Sequence, residues 1–413
     1  LRELRRNQSG SAVVITAASM PLLIGAAGMA ADTIQWTLWK RQLQRAADTG
    51  AVAGAYALGQ GKTVSTAATA AIGKDADIGM NTPTVENAPT SGSYAGNAKA
   101  VRVIVTASHR LPFTGMFIPT PTITAEATAA ILTNGNHCVI ALDKSTATGI
   151  SMAGNATVNL GCGMAANSMG SSAIDASGST SITATPVTAV GGITGTYSSS
   201  TVKQPYSLPQ PDPFEALPTP TSGDFTGCSN EVKVNPSDSA TTLTPGCYKG
   251  LDLNGTVTLS PGTYFIDGST NKDFSIGAQA NVSGTGVTII LTSSNAVSNP
   301  GSIATMSING GATINLTAPT SGTYTGVLFY QDRRATYETN GVVINGNSGS
   351  KLQGAAYFPQ QKIKFLGTAG MNTDCVQIVG FQVEFSGDSA INNNCPVGSN
   401  TQSFIGSVVR LVA

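Results

Sequence analysis

The residues able to do chemistry are few in this chain. The densest group is Asp332-Arg333-Arg334, directly after the apolar run GVLFYQ. Glu338, Glu384 and Asp388 could approach it if neighbouring turns of chain stack. Converging carboxylates, or a basic residue beside a bound metal, are what a polysaccharide lyase or hydrolase needs. The competing reading is a salt bridge that fastens a turn to the body of the fold. Asp143-Lys144-Ser145 opens like a DxSxS metal pattern, but Ala147 stands where its second Ser is required. His109 and His137 lack ligand-spaced partners and read as turn or edge residues. No phosphate-cradling glycine motif sits between a strand and a helix, and no Ser stands in GxSxG. The sequence assigns no catalytic residue, no cofactor site and no metal site.

The six cysteines are Cys138, Cys162, Cys228, Cys247, Cys375 and Cys395. None forms CxxC, which argues against zinc. They fall into three local couples, so the preferred pairing is sequential: Cys138–Cys162, Cys228–Cys247 and Cys375–Cys395. Other connectivities remain open, as do buried free thiols. Disulfides would place this part of the chain in an oxidising compartment.

Composition points the same way. Charged residues are 11% and the formal net charge is +0, so no broad basic surface for nucleic acid is indicated. Aromatics are 6%, and there are 47 Gly. A core of Val, Ile, Leu, Ala and Thr with many turns suits stacked strands.

What could hold such a chain in place lies at its start. From Ala12 to Ala31, across Pro21, Leu22 and Leu23, there is no charge. About 20 apolar residues cross a bilayer as a helix. Arg2, Arg5 and Arg6 precede the run, and Lys40, Arg41 and Arg45 follow it, so the positive-inside rule gives a tie. Trp36, Trp39, Leu43, Ala46, Gly50 and Ala53 continue one helical face beyond it. Its later positions are small, which permits close helix packing. Trp36 and Trp39 suit an interfacial belt. A cleaved signal peptide ending near Gly28-Met29-Ala30 and a buried core helix are the alternatives. The length of the helical pattern argues against the first, and Pro21 against the second.

The segment resembles the N-terminus of TadG-like proteins of the Flp (tight adherence, Tad) pilus assembly system. The marks are the basic residues before Gly10, the step Pro21-Leu22-Leu23, Asp32, and Leu43-Gln44-Arg45-Ala46-Ala47-Asp48. TadE-like pseudopilins carry a Glu shortly after the glycine. Here Ile15 stands at that place, which argues against prepilin-type processing. CVIALDKSTATGISMAGNATVNLGCG, LSPGTYFIDG and GVLFYQDR are similar to the periplasmic repeat region of TadG-like proteins. The resemblance implies a bacterial inner-membrane protein, single-pass, with its bulk in the periplasm. The cysteines favour the same orientation.

Beyond the anchor (1–60), residues 61–133 read as a small α/β unit. Residues 64–76 can be helical, and 81–97 read as loop. Val101, Val103 and Val105 alternate as a half-buried strand does, and so do Ile123 to Ile131. Between them, in LPFTGMFIPTP, Phe113, Met116, Phe117 and Ile118 form either a partner- or membrane-facing tip or a cap on the sheet. From residue 134 to 413, segments such as ISMAGNATVNL, LDLNGTVTLSPGTYFIDG and MSINGGATINL repeat an alternation around Gly or Asn-Gly turns. Imperfect repeats without helices predict a parallel β-helix or related solenoid. A β-sandwich is the competitor. The Pro-rich passage at 203–223 predicts an extended segment over the solenoid, or a hinge. The expected fold is thus mainly β: an N-terminal transmembrane helix, a small α/β unit and a parallel β-helix.

Three functions are compatible with this reading. One is a non-catalytic membrane-anchored component of pilus assembly, acting with other Tad proteins or the pilus fibre. A second is a filament subunit or tip adhesin at the cell surface, with possible homo-oligomer contacts. The third is a carbohydrate-active β-helix enzyme.

Overall fold

The structure, a computed structural model, describes residues 9–75, 79–178, 181–338, 340–345, 347, 349–367, 371–387, 390–393 and 404–412. It is mainly β, with an N-terminal apolar helix and a large parallel solenoid. The chain separates into two compact units, 1–132 with 409–413, and 133–408.

In the first unit, helix α1 (Ser9–Gly59) has 51 residues, a length of roughly 76 Å. Its second half lies on an antiparallel sheet and on α2 (Val64–Ile72). Among the described residues that sheet includes β1 (Thr84–Asn87), β2 (Ala100–Ser108) and β3 (Thr122–Ala141), and the Val412 N–H donates to the Thr128 carbonyl on β3. Ala100 pairs with Ala130 and Ser108 with Thr122. Val101, Val103, Val105 and Ala107 point inward, opposite Ile123, Ala125, Ala127 and Ala129. Small residues let the helix approach. A Cβ on Gly54 would come 2.9 Å from Val101, and one on Gly50 2.7 Å from Ile72. Residues 61–133 therefore share a core with α1 instead of forming one apart from it. The expected loop at 81–97 contains β1. Pro83 precedes it, which an edge strand tolerates, and Arg102 on β2 pairs with Glu86 at 3.9 Å.

The second unit is a parallel β-helix with three sheets. Each coil turns apolar residues inward and small polar ones outward: Leu251, Leu253, Val257 and Leu259 are buried, while Thr256 and Thr258 are exposed. The coils do not stack in sequence order. Strands 232–234, 251–253, 274–276, 306–308, 342–344, 363–365 and 383–385 form a continuous first column. Strand 383–385 then pairs with 150–152, which continues through 174–176 to 193–195. The early coils thus sit on the last coil. The strand at 137–141 of β3 completes the third side of that last coil, beside 378–380.

This order makes a crossover necessary. The chain leaves the stack after 203–204 and re-enters at its opposite end at 232. Among the described residues the first column has ten strands, and nine spacings of about 4.8 Å come to roughly 43 Å. Extended Pro-rich chain rises about 3.1 Å per residue, so 203–223 is long enough to cover that distance.

Candidate functional site

The first half of α1 is exposed. Leu22 and Leu23 are 76% and 68% accessible, and Pro21 and Ala31 are also exposed. Ala12 lies in the same helix. Among the described residues, this is the one helix long and apolar enough to cross a membrane. The face expected to pack divides along its length. Trp36 is exposed and Trp39 half-buried, its ring 4.9 Å from His109. Leu43, Ala46 and Gly50 are buried against the chain's own sheet and α2, and Ala53 is half-buried.

Asp32, at the end of the charge-free run, is 4% exposed. One carboxylate oxygen accepts from the Phe113 N–H at 2.9 Å. The other accepts from the N–H and, at 2.6 Å, the hydroxyl of Thr114. Asp32 thereby caps the short helical turn Thr114–Met116 from a distant element. Phe113 packs over Gly28, where a Cβ would meet its ring at 2.3 Å. Asp32→Ala is expected to weaken this attachment by about 2 kcal/mol, raising amide exchange at Phe113 and Thr114 about thirtyfold. Unchanged exchange would remove Asp32 from that role.

In the solenoid, the third sheet is buried on both faces. Every residue of Val287–Thr292 and Val327–Gln331 is buried. The inner face belongs to the main core. The outer face carries Ile140, Ile290, Val327, Tyr330, Tyr357 and Val379, against which Phe214 and Leu217 of the Pro-rich segment pack. Arg333 holds that segment down. Its guanidinium donates to the carbonyls of Leu217 (2.8 Å) and Phe214, and to the Tyr357 hydroxyl (2.8 Å). It also lies over the rings of Tyr330 and Tyr357. Tyr357 in turn donates to Asp212 at 2.7 Å. Burial, then Asp212 itself, pushes the Tyr357 phenol far up, so it keeps that proton. Arg334 adds a bond to the Pro220 carbonyl at 2.9 Å. Residues 205–223, after strand 203–204 has paired within the stack, are therefore a strap over the third sheet. A cleft of about 540 Å³ remains beneath it, bordered by Gln210, Phe214, Gln377 and Phe404.

The carboxylates considered for catalysis are engaged separately. Asp332 is fully buried and accepts from Thr292 and Arg334. Glu384 pairs with Lys362 at 3.5 Å. Glu338 donates its backbone N–H to Gln361, and Asp388 lies outside the described residues. Asp143 closes a turn, accepting from the Ser145 N–H and from Gln382, each at 2.7 Å. No cluster of three His, Cys, Asp or Glu side chains suited to a metal occurs among the described residues.

His137 is fully buried on the third sheet, with Nε2 3.1 Å from the Thr188 hydroxyl. Burial lowers it from 6.5 to about 4. Below pH 6.5 the unfolded chain takes up a proton that the folded chain refuses, down to about pH 4. Stability should therefore fall by about 2 kcal/mol from pH 7.5 to pH 5. Denaturant titrations at both values test this. His137→Gln should remove most of the slope, and an unchanged slope would exclude His137 as its source.

Cys138 is bonded to Cys162, and Cys228 to Cys247. The first bond ties β3 to the coil beside it. The second ties the end of the crossover to strand Gly246–Tyr248. Cys375 is also disulfide-bonded, and Cys395 lies outside the described residues.

Two signals for the strap are present in sequence. GVTIILT and GVLFYQ do not alternate, as strands covered on both faces do not. Neither signal says which segment supplies the cover.

These features define a class: a parallel β-helix in a chain that begins with an exposed apolar helix long enough to span a bilayer. Residues 10–57 match the family described as Putative Flp pilus-assembly TadE/G-like, and the chain is similar to that family over this segment. No curated protein and no solved structure matches the chain.

Proposed function

We propose that the protein is a non-catalytic, membrane-anchored component of Flp/Tad pilus assembly, with its β-helix in the periplasm. The observation that carries this reading is the TadE/G-like domain at residues 10–57, coinciding with the exposed apolar helix. The disulfides support an oxidising compartment for the β-helix. The engaged state of Asp332 and Glu384 supports a structural role over a catalytic one. The β-helix is a long polar wall that other assembly proteins or the growing fibre can contact.

The test is genetic. Deleting the gene should abolish or strongly reduce surface fibres, and the wild-type chain should restore them. Glu384→Gln, which removes an acid without touching the core, should restore them equally. Normal fibres in the deletion strain would contradict the assembly role. Failure of Glu384→Gln, with the protein folded and present, would reopen the enzyme reading.

One observation favours a second reading, a filament tip adhesin. Asp252, Asn254, Ser275, Ser307 and Asn309 line a shallow trough of about 420 Å³ along successive coils. Stacked amides and hydroxyls of this kind suit glycan hydroxyls. Binding of the purified protein to immobilised glycans, lost in Asn309→Ala, would support it.

A further inference from the structure

We infer that the loop at 111–118 is a second membrane contact, with Met116, Phe117 and Ile118 in the interfacial layer of the bilayer beside α1. This rests on the reading of α1 as a membrane anchor. The three side chains are adjacent in sequence and 69%, 74% and 50% exposed. They do not cap the small sheet. Three large apolar side chains bared together need a cover, and the loop's attachment identifies it.

That attachment runs along the helix towards the charge-free segment. His109 meets Trp39, Phe113 and Thr114 bond Asp32, and the Phe113 ring covers Gly28. Gly28 lies four residues inside Asp32, about 6 Å further along the axis. Amphipathic elements that lie in the interface bury their apolar faces to a similar depth, about 5–10 Å. The tip is therefore continuous with the exposed apolar surface of α1.

Most N–H groups of the tip are paired within the protein, which eases contact with lipid. Asp32 takes the N–H groups of Phe113 and Thr114. Met116 N–H donates to the Phe113 carbonyl, and the Phe117 and Ile118 N–H groups donate to that of Thr114. Arg110 Nε donates to the Gly115 carbonyl at 2.9 Å. Arg110, at the base of the loop, adds a positive charge beside the apolar tip.

The experiment uses the full chain in phosphatidylethanolamine–phosphatidylglycerol vesicles, with Trp36 and Trp39 replaced by Phe. A single probe is introduced as Phe117→Trp or, separately, Ile118→Trp; both sites are exposed and tolerate the ring. Ser93→Trp, in an exposed loop, is the water reference. Both tip probes should be quenched by shallow brominated lipid and be at least about threefold less sensitive to aqueous iodide than the reference. Iodide sensitivity equal to the reference, in protein that resists carbonate extraction, would overturn the inference and leave the anchor standing; a tip reserved for a protein partner predicts that outcome. Extraction of the protein by carbonate would overturn the anchor and the inference together.

Discussion

Replacing Arg333 by Ala should free the Pro-rich strap from the third sheet. The guanidinium makes three hydrogen bonds, two of them to strap carbonyls, and lies over two tyrosine rings. Without it, Phe214 and Leu217 keep only their apolar contacts, and the outer face of Tyr330 and Tyr357 opens to water. Charged hydrogen bonds contribute about 1.5–3 kcal/mol each, partly recovered by solvation, so the expected loss is about 4 kcal/mol. Chymotrypsin should then cut after Phe214, whose bond to Glu215 is open to it, while the coils stay intact. Arg333→Lys keeps the charge but lacks the fork that reaches two carbonyls and a hydroxyl together, so it should recover less than half of the loss. Wild-type resistance in Arg333→Ala would show that apolar packing alone seats the strap.

Removing the disulfides should have the next largest effect. Cys228–Cys247 closes a loop with a sequence separation of 19, and Cys138–Cys162 one of 24. Loop-closure entropy assigns each about 3 kcal/mol. In the third sheet, the strands bearing Cys247 and Cys138 are six steps apart, about 29 Å. The two losses should therefore add to within about 0.5 kcal/mol. Replacing each pair by Ser, alone and together, and measuring denaturant midpoints tests both magnitude and additivity. The Cys228–Cys247 pair carries a further consequence. It pins the end of the crossover where the stack begins, so its loss should expose the first coil to proteases before the others. Unchanged midpoints would mean that the unfolded chain is already constrained in these loops.

Both effects arise in the part of the fold that the sequence leaves open. The coils themselves are legible, because LDLNGTVTL and MSINGGATINL alternate with a period of two around Gly and Asn turns, and no helix intervenes. Stacking order is not legible. Any coil presents the same kind of edge to any other, and the alternation of residues 150–160 does not say that strand 150–152 lies on strand 383–385. Only the pairing of β3 with the last coils decides it. The strap is half legible: its prolines exclude a central strand, and the unbroken apolar runs of the third sheet ask for a cover. The link between them is Arg333, which as a sequence feature reads equally well as part of an acid–base cluster. Helix α1 shows a related ambiguity. Leu43, Ala46 and Gly50 form a small-residue face that fits a neighbouring membrane helix or a sheet of the same chain, and local spacing is identical in the two cases. Asp32 gives no local hint of its role, because the groups it caps are some eighty residues away.

On the function proposed above, α1 keeps this protein in the inner membrane while its β-helix serves pilus assembly from the periplasm. The most direct measurement is fractionation of piliated cells after mechanical shearing. Full-length protein is followed by blot in the sheared filament fraction and in the carbonate-washed inner-membrane pellet. Full-length protein is expected in the membrane pellet, and none should purify with filaments. Recovery of the intact chain with the filaments would contradict it, and would make α1 a packing element of the fibre.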